Sequence, residues 1–178
     1  MAHDYYKYWF NIDTAKEILK NPLFGNRYIV SFAGEGSKVS SLFTPRLGFL
    51  VNTISMPTVN YNPKLHYVGG VNVVVPTLLE QGQLDFTMYN TGREYDTIKK
   101  WCDAIYNPRT RAYSYINDVL ASVKIMEFDK SANMIVTHTF NGCSLYQFGG
   151  LQLNYEESTA IETFQVSVHY RSYTVELN

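Results

Sequence analysis

The sequence predicts a mainly β domain, a barrel or sandwich of antiparallel strands, with one flanking α-helix and a short helix near the N-terminus. Three patterns carry that prediction. Leu84, Phe86 and Met88 alternate with Asp85, Thr87 and Tyr89, and Phe164, Val166, Val168 and Tyr170 alternate with Thr163, Gln165, Ser167 and His169. A period of two is that of a half-buried strand. RYIVSF (Arg27 to Phe32) is a β-branched and aromatic run that ends at Gly34-Glu35-Gly36. Only one long stretch, Thr91 to Tyr106, carries a helical stripe instead, with Tyr95, Ile98, Trp101, Cys102 and Ile105 on one face.

Taken in order, the chain opens with a short helix. Thr14 and Glu17 fit a capping box, Ala15, Ile18 and Leu19 share a face, and Asn21-Pro22 stops it. The strand at Arg27 to Phe32 follows, then a Gly- and Ser-rich loop from Gly34 to Arg46. A second strand covers Leu47 to Ser55 and stops at Met56-Pro57, because proline cannot donate to a ladder and restricts its predecessor. Asn60 to Pro63 read as a turn, and Leu65 to Val75 as a strand broken at Gly69-Gly70 by a bulge or a close backbone approach. After the strand at Leu84 to Tyr89 comes the main helix, with Thr91 and Glu94 as its capping box and Asn107-Pro108 as its stop. The last third reads as a meander. Strands at Val119 to Phe128 and Met134 to Phe140 flank a turn at Asp129 to Asn133. Leu151, Leu153 and Tyr155 then alternate up to the acidic turn Glu156-Glu157, and the final strand closes the domain. This divides the chain into an N-terminal extension, residues 1–24, and a single domain, residues 25–178.

Composition narrows the function. The 178 residues suffice for one self-sufficient core. A net charge of -1 gives no field to hold a phosphate backbone by counterion release. Cys102 and Cys143 have no paired spacing, so neither a zinc site nor a disulfide framework is expected. His3, His66, His138 and His169 are scattered, and no metal site is expected from them. No glycine-rich stretch has the context of a phosphate loop, and no serine sits on a nucleophile elbow. The expectation is a non-enzyme with no catalytic residues, no metal and no cofactor. The N-terminus lacks the order of a secretory signal and no apolar run reaches about 20 residues, so folding in the cytosol with no membrane partner is expected.

One resemblance spans nearly the whole chain. GGLQLNYEESTAIETFQVSVHY (Gly149 to Tyr170) is similar to the closing segment of the tail tube proteins of contractile phages of the T-even type: a strand ending in an aromatic, an acidic turn, then an I-x-T-F-x-V strand. NRYIVSF (Asn26 to Phe32) resembles that family's first strand, Met56-Pro57 its strand-ending proline, and Gly82 to Ile105 its strand-plus-helix with the helix tryptophan. The sequence departs from the family where a Trp-Pro pair is usual and Asn141-Gly142-Cys143-Ser144 stands instead.

The resemblance implies a tail-tube-like fold whose copies join edge to edge into hexameric rings and stack into a tube. It implies self-association as the main partnership, with tail sheath, baseplate and tape-measure proteins as further partners. DNA would pass through the lumen without specific binding, and the protein would reside in a virion tail assembled in the host cytoplasm. Tube-initiating baseplate proteins and the tube subunits of bacterial injection systems have related folds and stand as alternatives. Long loops mediate stacking in such a reading, which puts Phe43, Pro45 and Arg46, and Met56, Pro57, Tyr61 and Lys64, at contacts between copies. An aromatic cluster ahead of the fold, Tyr6, Tyr8, Trp9 and Phe10, reads as an interaction arm.

Overall fold

A computed structural model describes residues 27–151 and 161–177. The N-terminal helix, the residues Tyr6, Tyr8, Trp9 and Phe10, and the strand and acidic turn expected from Gln152 to Glu157 lie outside the described residues.

A long hairpin is the spine. Strand β9 (Met134–Gly149) runs for 16 residues. Its partner edge is taken in sequence by β10 (Thr163–His169), which pairs with its second half, and β11 (Ser172–Leu177), which pairs with its first half. On the other edge of β9, first half, lies β8 (Ala121–Phe128), and beyond it β1 (Tyr28–Gly34). On the other edge of β10 lie β5 (Leu84–Tyr89) and then β2 (Val51–Ser55). Every pairing is antiparallel, and the order is β1-β8-β9-β10-β5-β2 with β11 beside β9. One continuous sheet thus becomes two layers joined through β9.

The core lies between the layers. Val30, Phe32, Val123, Ile125 and Phe140 from one layer meet Leu84, Phe86, Met88, Phe164, Val166 and Val168 from the other, all buried. Phe32 and Phe86 touch edge-on across it at 5.3 Å. Helix α2 (Arg93–Ile105) closes one side with Ile98 and Trp101 fully buried. Trp101 meets the ring of Phe43 edge-on at 5.2 Å, and its indole Nε1–H donates to the Val119 carbonyl at 2.8 Å. A buried indole needs such a partner, because the N–H would otherwise lose its water without replacement.

Several expectations are corrected. The stretch Leu47 to Ser55 is not one strand: Pro45 at the first helical position nucleates a short helix, α1 (Pro45–Phe49), before β2 begins at Val51. The helix at Thr91 starts two residues later, at Arg93. Thr91 forms no cap; Gly92 takes a φ of 78° at the N-cap position, and the Asn90 side chain accepts its N–H. Asn60 to Pro63 are not a turn, and Leu65 to Val75 are not one broken strand. Both belong to a two-stranded hairpin, β3 (Val59–Val68) and β4 (Val71–Gln81), whose turn is Gly69-Gly70. The two glycines have φ of 60° and 86°, the left-handed values that a two-residue hairpin turn requires. Pro63 is accommodated at a bulge in a strand with a free edge. Strand β9 extends well past Phe140, and Ser167, expected on the polar face, is almost fully buried. The short strands β6 (Tyr106–Asn107) and β7 (Ala112–Tyr113), and β11, are additions.

Two local features yield predictions. Helix α1 lies against β1 so closely that a Cβ on Gly48 would stand 1.7 Å from the Val30 carbonyl oxygen. Gly48→Ala is expected to cost at least about 1–3 kcal/mol by forcing α1 off the strand, seen as a lowered urea midpoint with an unchanged slope. Asp129 holds the turn between β8 and β9: its Oδ1 accepts the Asn133 and Ser131 backbone N–H groups at 2.8 and 2.7 Å, and its Oδ2 the Asn133 side-chain amide at 3.2 Å. These donors, the Asn133 backbone first, hold its carboxyl below the ordinary value. A folded pKa below the unfolded one gives stability that is present at neutral pH, above the unfolded pKa, and lost as pH falls through the folded pKa. Asp129→Asn is expected to be less stable at pH 7 and to show a flatter acid limb in unfolding measured from pH 7 to pH 2; an unchanged acid limb would contradict the assignment.

Candidate assembly surfaces

Strands β3 and β4 form a sheet of their own that, among the described residues, packs on no other element beyond passing contacts. Ten residues of β3 reach about 33 Å. Near the tip Leu65, Tyr67 and Val71 are 70%, 75% and 63% exposed. A lone hairpin is marginal in water, so a projecting one with an apolar tip is a structure that gains stability by contact with something else.

A second surface is the outward side of β2, β5, β10 and the second half of β9. The register fixes its composition. Thr53 pairs with Thr87 and Ser55 with Asp85 from β2 to β5, while Gln165 pairs with Thr87 and Ser167 with Asp85 from β10. Ser167 also pairs with Gln147, and His169 with Ser144. Ser167 is almost fully buried there and the others are half-buried or exposed, so hydroxyls, amides, one histidine and the exposed ring of Tyr146, 4.5 Å from that of His169, make up the face. Among the described residues Asp85 is its only carboxylate, and no lysine or arginine stands on it.

The third feature is a groove of about 520 Å³ between the ends of the strand order, β1 and β2. Ile29, Phe49, Ile54, Met56 and Ile125 line it, and Glu127 is its one charged group among the described residues. The Tyr28 hydroxyl spans it by donating to the Asn52 carbonyl at 2.7 Å, and burial raises that phenol's pKa. Behind the groove His138 bridges strands, with Nε2 2.9 Å from Glu127 Oε1 and Nδ1 2.7 Å from the Tyr173 hydroxyl.

The residues expected at contacts divide between these places. Met56 lines the groove, Pro57 is half-buried beside Gly82 at the hairpin base, and Tyr61 and Lys64 lie on β3. Pro45 and Arg46 are exposed at the start of α1, where the Arg46 guanidinium Nε meets the buried Glu94 carboxylate at 3.0 Å. Phe43 is half-buried, its ring against Phe32 and Trp101. Leu65, Tyr67, Val71 and the groove residue Phe49 went unidentified in the sequence. The available signal was Gly-Gly flanked by β-branched runs, the mark of a two-residue hairpin.

Among the described residues no group of three or more His, Cys, Asp and Glu is placed to hold a metal ion, and no helix is long and apolar enough to cross a membrane.

Neither a protein-family model nor a curated protein matches the sequence. Solved structures are similar in fold. A chain of the sheath-tube complex of an extracellular contractile injection system, PVC, in the extended state superposes with a TM-score of 0.65 at 11% identity, covering 94% of this chain and 100% of that one. A chain of the same system's sheath/tube terminator gives 0.65 at 12% identity over 87% and 96%. A chain of the anti-feeding prophage baseplate, a 6-fold symmetrised structure, gives 0.59 at 14% identity over 87% and 95%. The mainly β architecture expected from the sequence is thus a fold found among components of contractile injection particles.

Proposed function

We propose that this chain is the subunit of the tube of a contractile particle, a structural protein that forms hexameric rings which stack into a conduit. The observation that carries the reading is the long β3–β4 hairpin, which is built out from the body and, among the described residues, packs on no other element beyond passing contacts. Open strand edges support it: β1 and β2 end the strand order, and ring closure is the means by which repeated copies cover such edges. Residues 25–178 act as the ring-forming domain and residues 1–24 as an extension, in which Tyr6, Tyr8, Trp9 and Phe10 serve as an interaction arm. Pro45, Arg46, Met56, Pro57, Tyr61 and Lys64 meet neighbouring copies.

The polar outer face of β2, β5, β10 and β9 lines the lumen in this reading. Hydroxyl and amide groups without lysine or arginine let a polyanion pass, since no cations are there to exchange with its counterions. That suits the tube of a contractile phage tail, ejecting DNA, bounded by sheath, baseplate and tape-measure proteins. The tube of an injection particle carrying protein is the second reading, favoured by the injection-system origin of the chains that share the fold. Nucleic acid inside purified particles containing this protein would decide for the first.

Sedimentation velocity over rising concentration tests the proposal. A species of six times the monomer mass, and larger multiples of it, is expected. A monomer at every concentration would overturn it.

A further inference from the structure

We infer that the aromatic segment Tyr5 to Phe10 lies in the groove between β1 and β2 of its own chain. The inference goes beyond the tube reading and holds for a free subunit whether or not it assembles. The groove leaves apolar surface open to water: Ile29, Phe49 and Met56 are 37%, 70% and 38% exposed, beside the half-buried Ile54 and the buried Ile125. Exposed apolar surface gathered in one concavity marks a place that something covers. Its volume of about 520 Å³ is of the size that encloses a drug-sized ligand or a short run of side chains.

The chain itself brings the occupant there. Tyr28 and Ile29, the first residues of β1, line the groove, so the residues ahead of them enter the body at its rim. Arg27 is fastened beside it: its carbonyl accepts the Phe128 N–H at 3.0 Å, and its guanidinium donates to the Asp129 carbonyl at 3.0 Å. Seventeen residues separate Phe10 from Tyr28. At about 3.3 Å per extended residue this tether can turn back on the groove, with length to spare for the helix expected at Thr14.

Segment and groove match in chemistry. Five of the six residues from Tyr5 to Phe10 are aromatic, and the sixth is Lys7. The groove is apolar, and its one charged group among the described residues is the opposite one, Glu127, whose carboxylate lies 2.9 Å from His138 Nε2. Tyrosine and tryptophan bury a large ring and keep a polar atom for a partner, and the open edges of β1 and β2 offer carbonyls and N–H groups. A tethered segment docks at an effective concentration far above that of a free partner. In a free subunit it covers the apolar surface between two edges that would otherwise invite foreign strands.

Cysteine pairs in the full chain test this, each with Cys102→Ser. Cys143 adds no background, because burial pushes its thiol up to about 12. Asp4→Cys or Asn11→Cys, flanking the aromatic run, is combined with Asn52→Cys on the groove wall. Asn52 is exposed, and the Tyr28 hydroxyl bonds its backbone carbonyl, which the substitution keeps. The controls combine the same two positions with Thr110→Cys, exposed between β6 and β7. Oxidised with copper–phenanthroline at high dilution, at least one groove pair is expected to close within one chain about tenfold faster than its control, or more. Lys7→Glu, which alters no described residue, is expected to slow that closure about threefold. Closure no faster than the control in both pairs would overturn the docking and leave the tube reading standing. Disulfides formed only between chains would give the groove to the segment of a second copy and overturn it too. An unchanged rate with Lys7→Glu would overturn the pairing with Glu127.

Discussion

Replacing Trp101 with alanine is expected to remove about 3–5 kcal/mol of stability, the cost of emptying a large buried aromatic site. Trp101 is fully buried, and its ring meets Phe43 edge-on. Its Nε1–H also satisfies the Val119 carbonyl, just ahead of β8, so alanine leaves a cavity and a buried acceptor without its donor. A domain of this size is stable by only about 5–15 kcal/mol, so the variant should melt far below the parent and be partly unfolded near 37 °C. Trp101→Phe should recover much of the packing and none of the hydrogen bond, and should fall between the two. Equal midpoints for parent and alanine variant in urea unfolding would show that α2 does not close the core.

The second large effect concerns assembly and leaves folding nearly untouched. Substituting residues 60–80 by a short Gly-Ser turn should abolish rings while shifting the melting temperature of the monomer by no more than a few degrees. Among the described residues the hairpin contributes no side chain to the core and rests on no other element beyond passing contacts. Its removal is therefore expected to expose little apolar surface of the body. Size-exclusion chromatography beside a thermal melt separates the outcomes. A collapse of the melting temperature would mean that the hairpin belongs to the core, and wild-type rings would mean that it has no part in assembly.

These two regions also show what the sequence could convey. The core strands were legible because burial on one face writes itself as alternation. Leu84, Phe86 and Met88, and Phe164, Val166 and Val168, are all fully buried as their spacing predicts. Helix α2 was legible from Ile98 and Trp101 on one stripe, though its cap was misplaced because Asn90 and Gly92, not Thr91, shape its start. Where strands pair apart from the core sheet, as β3 and β4 do, the pattern is ambiguous. Gly69-Gly70 reads as a bulge or close backbone approach as readily as a hairpin turn, and only the pairing of β3 with β4 decides between them and removes the turn expected at Asn60 to Pro63. Strand β11 was missed because Val175 and Leu177 remain exposed at its end. The groove was beyond reach of any local pattern, because Ile29, Phe49, Ile54 and Ile125 meet only through the order of the strands. Met56 and Pro57 stand at the base of the projecting hairpin, and Tyr61 and Lys64 on its first strand.

Electron microscopy of the purified full-length chain, concentrated to promote assembly, tests the central claim most directly. The account predicts six-membered rings and stacks of rings, with the hydroxyl- and amide-covered face of β2, β5, β10 and β9 turned to the lumen and each hairpin crossing to another copy. A compact monomer that persists at every concentration, or rings that turn this face outward, would contradict it.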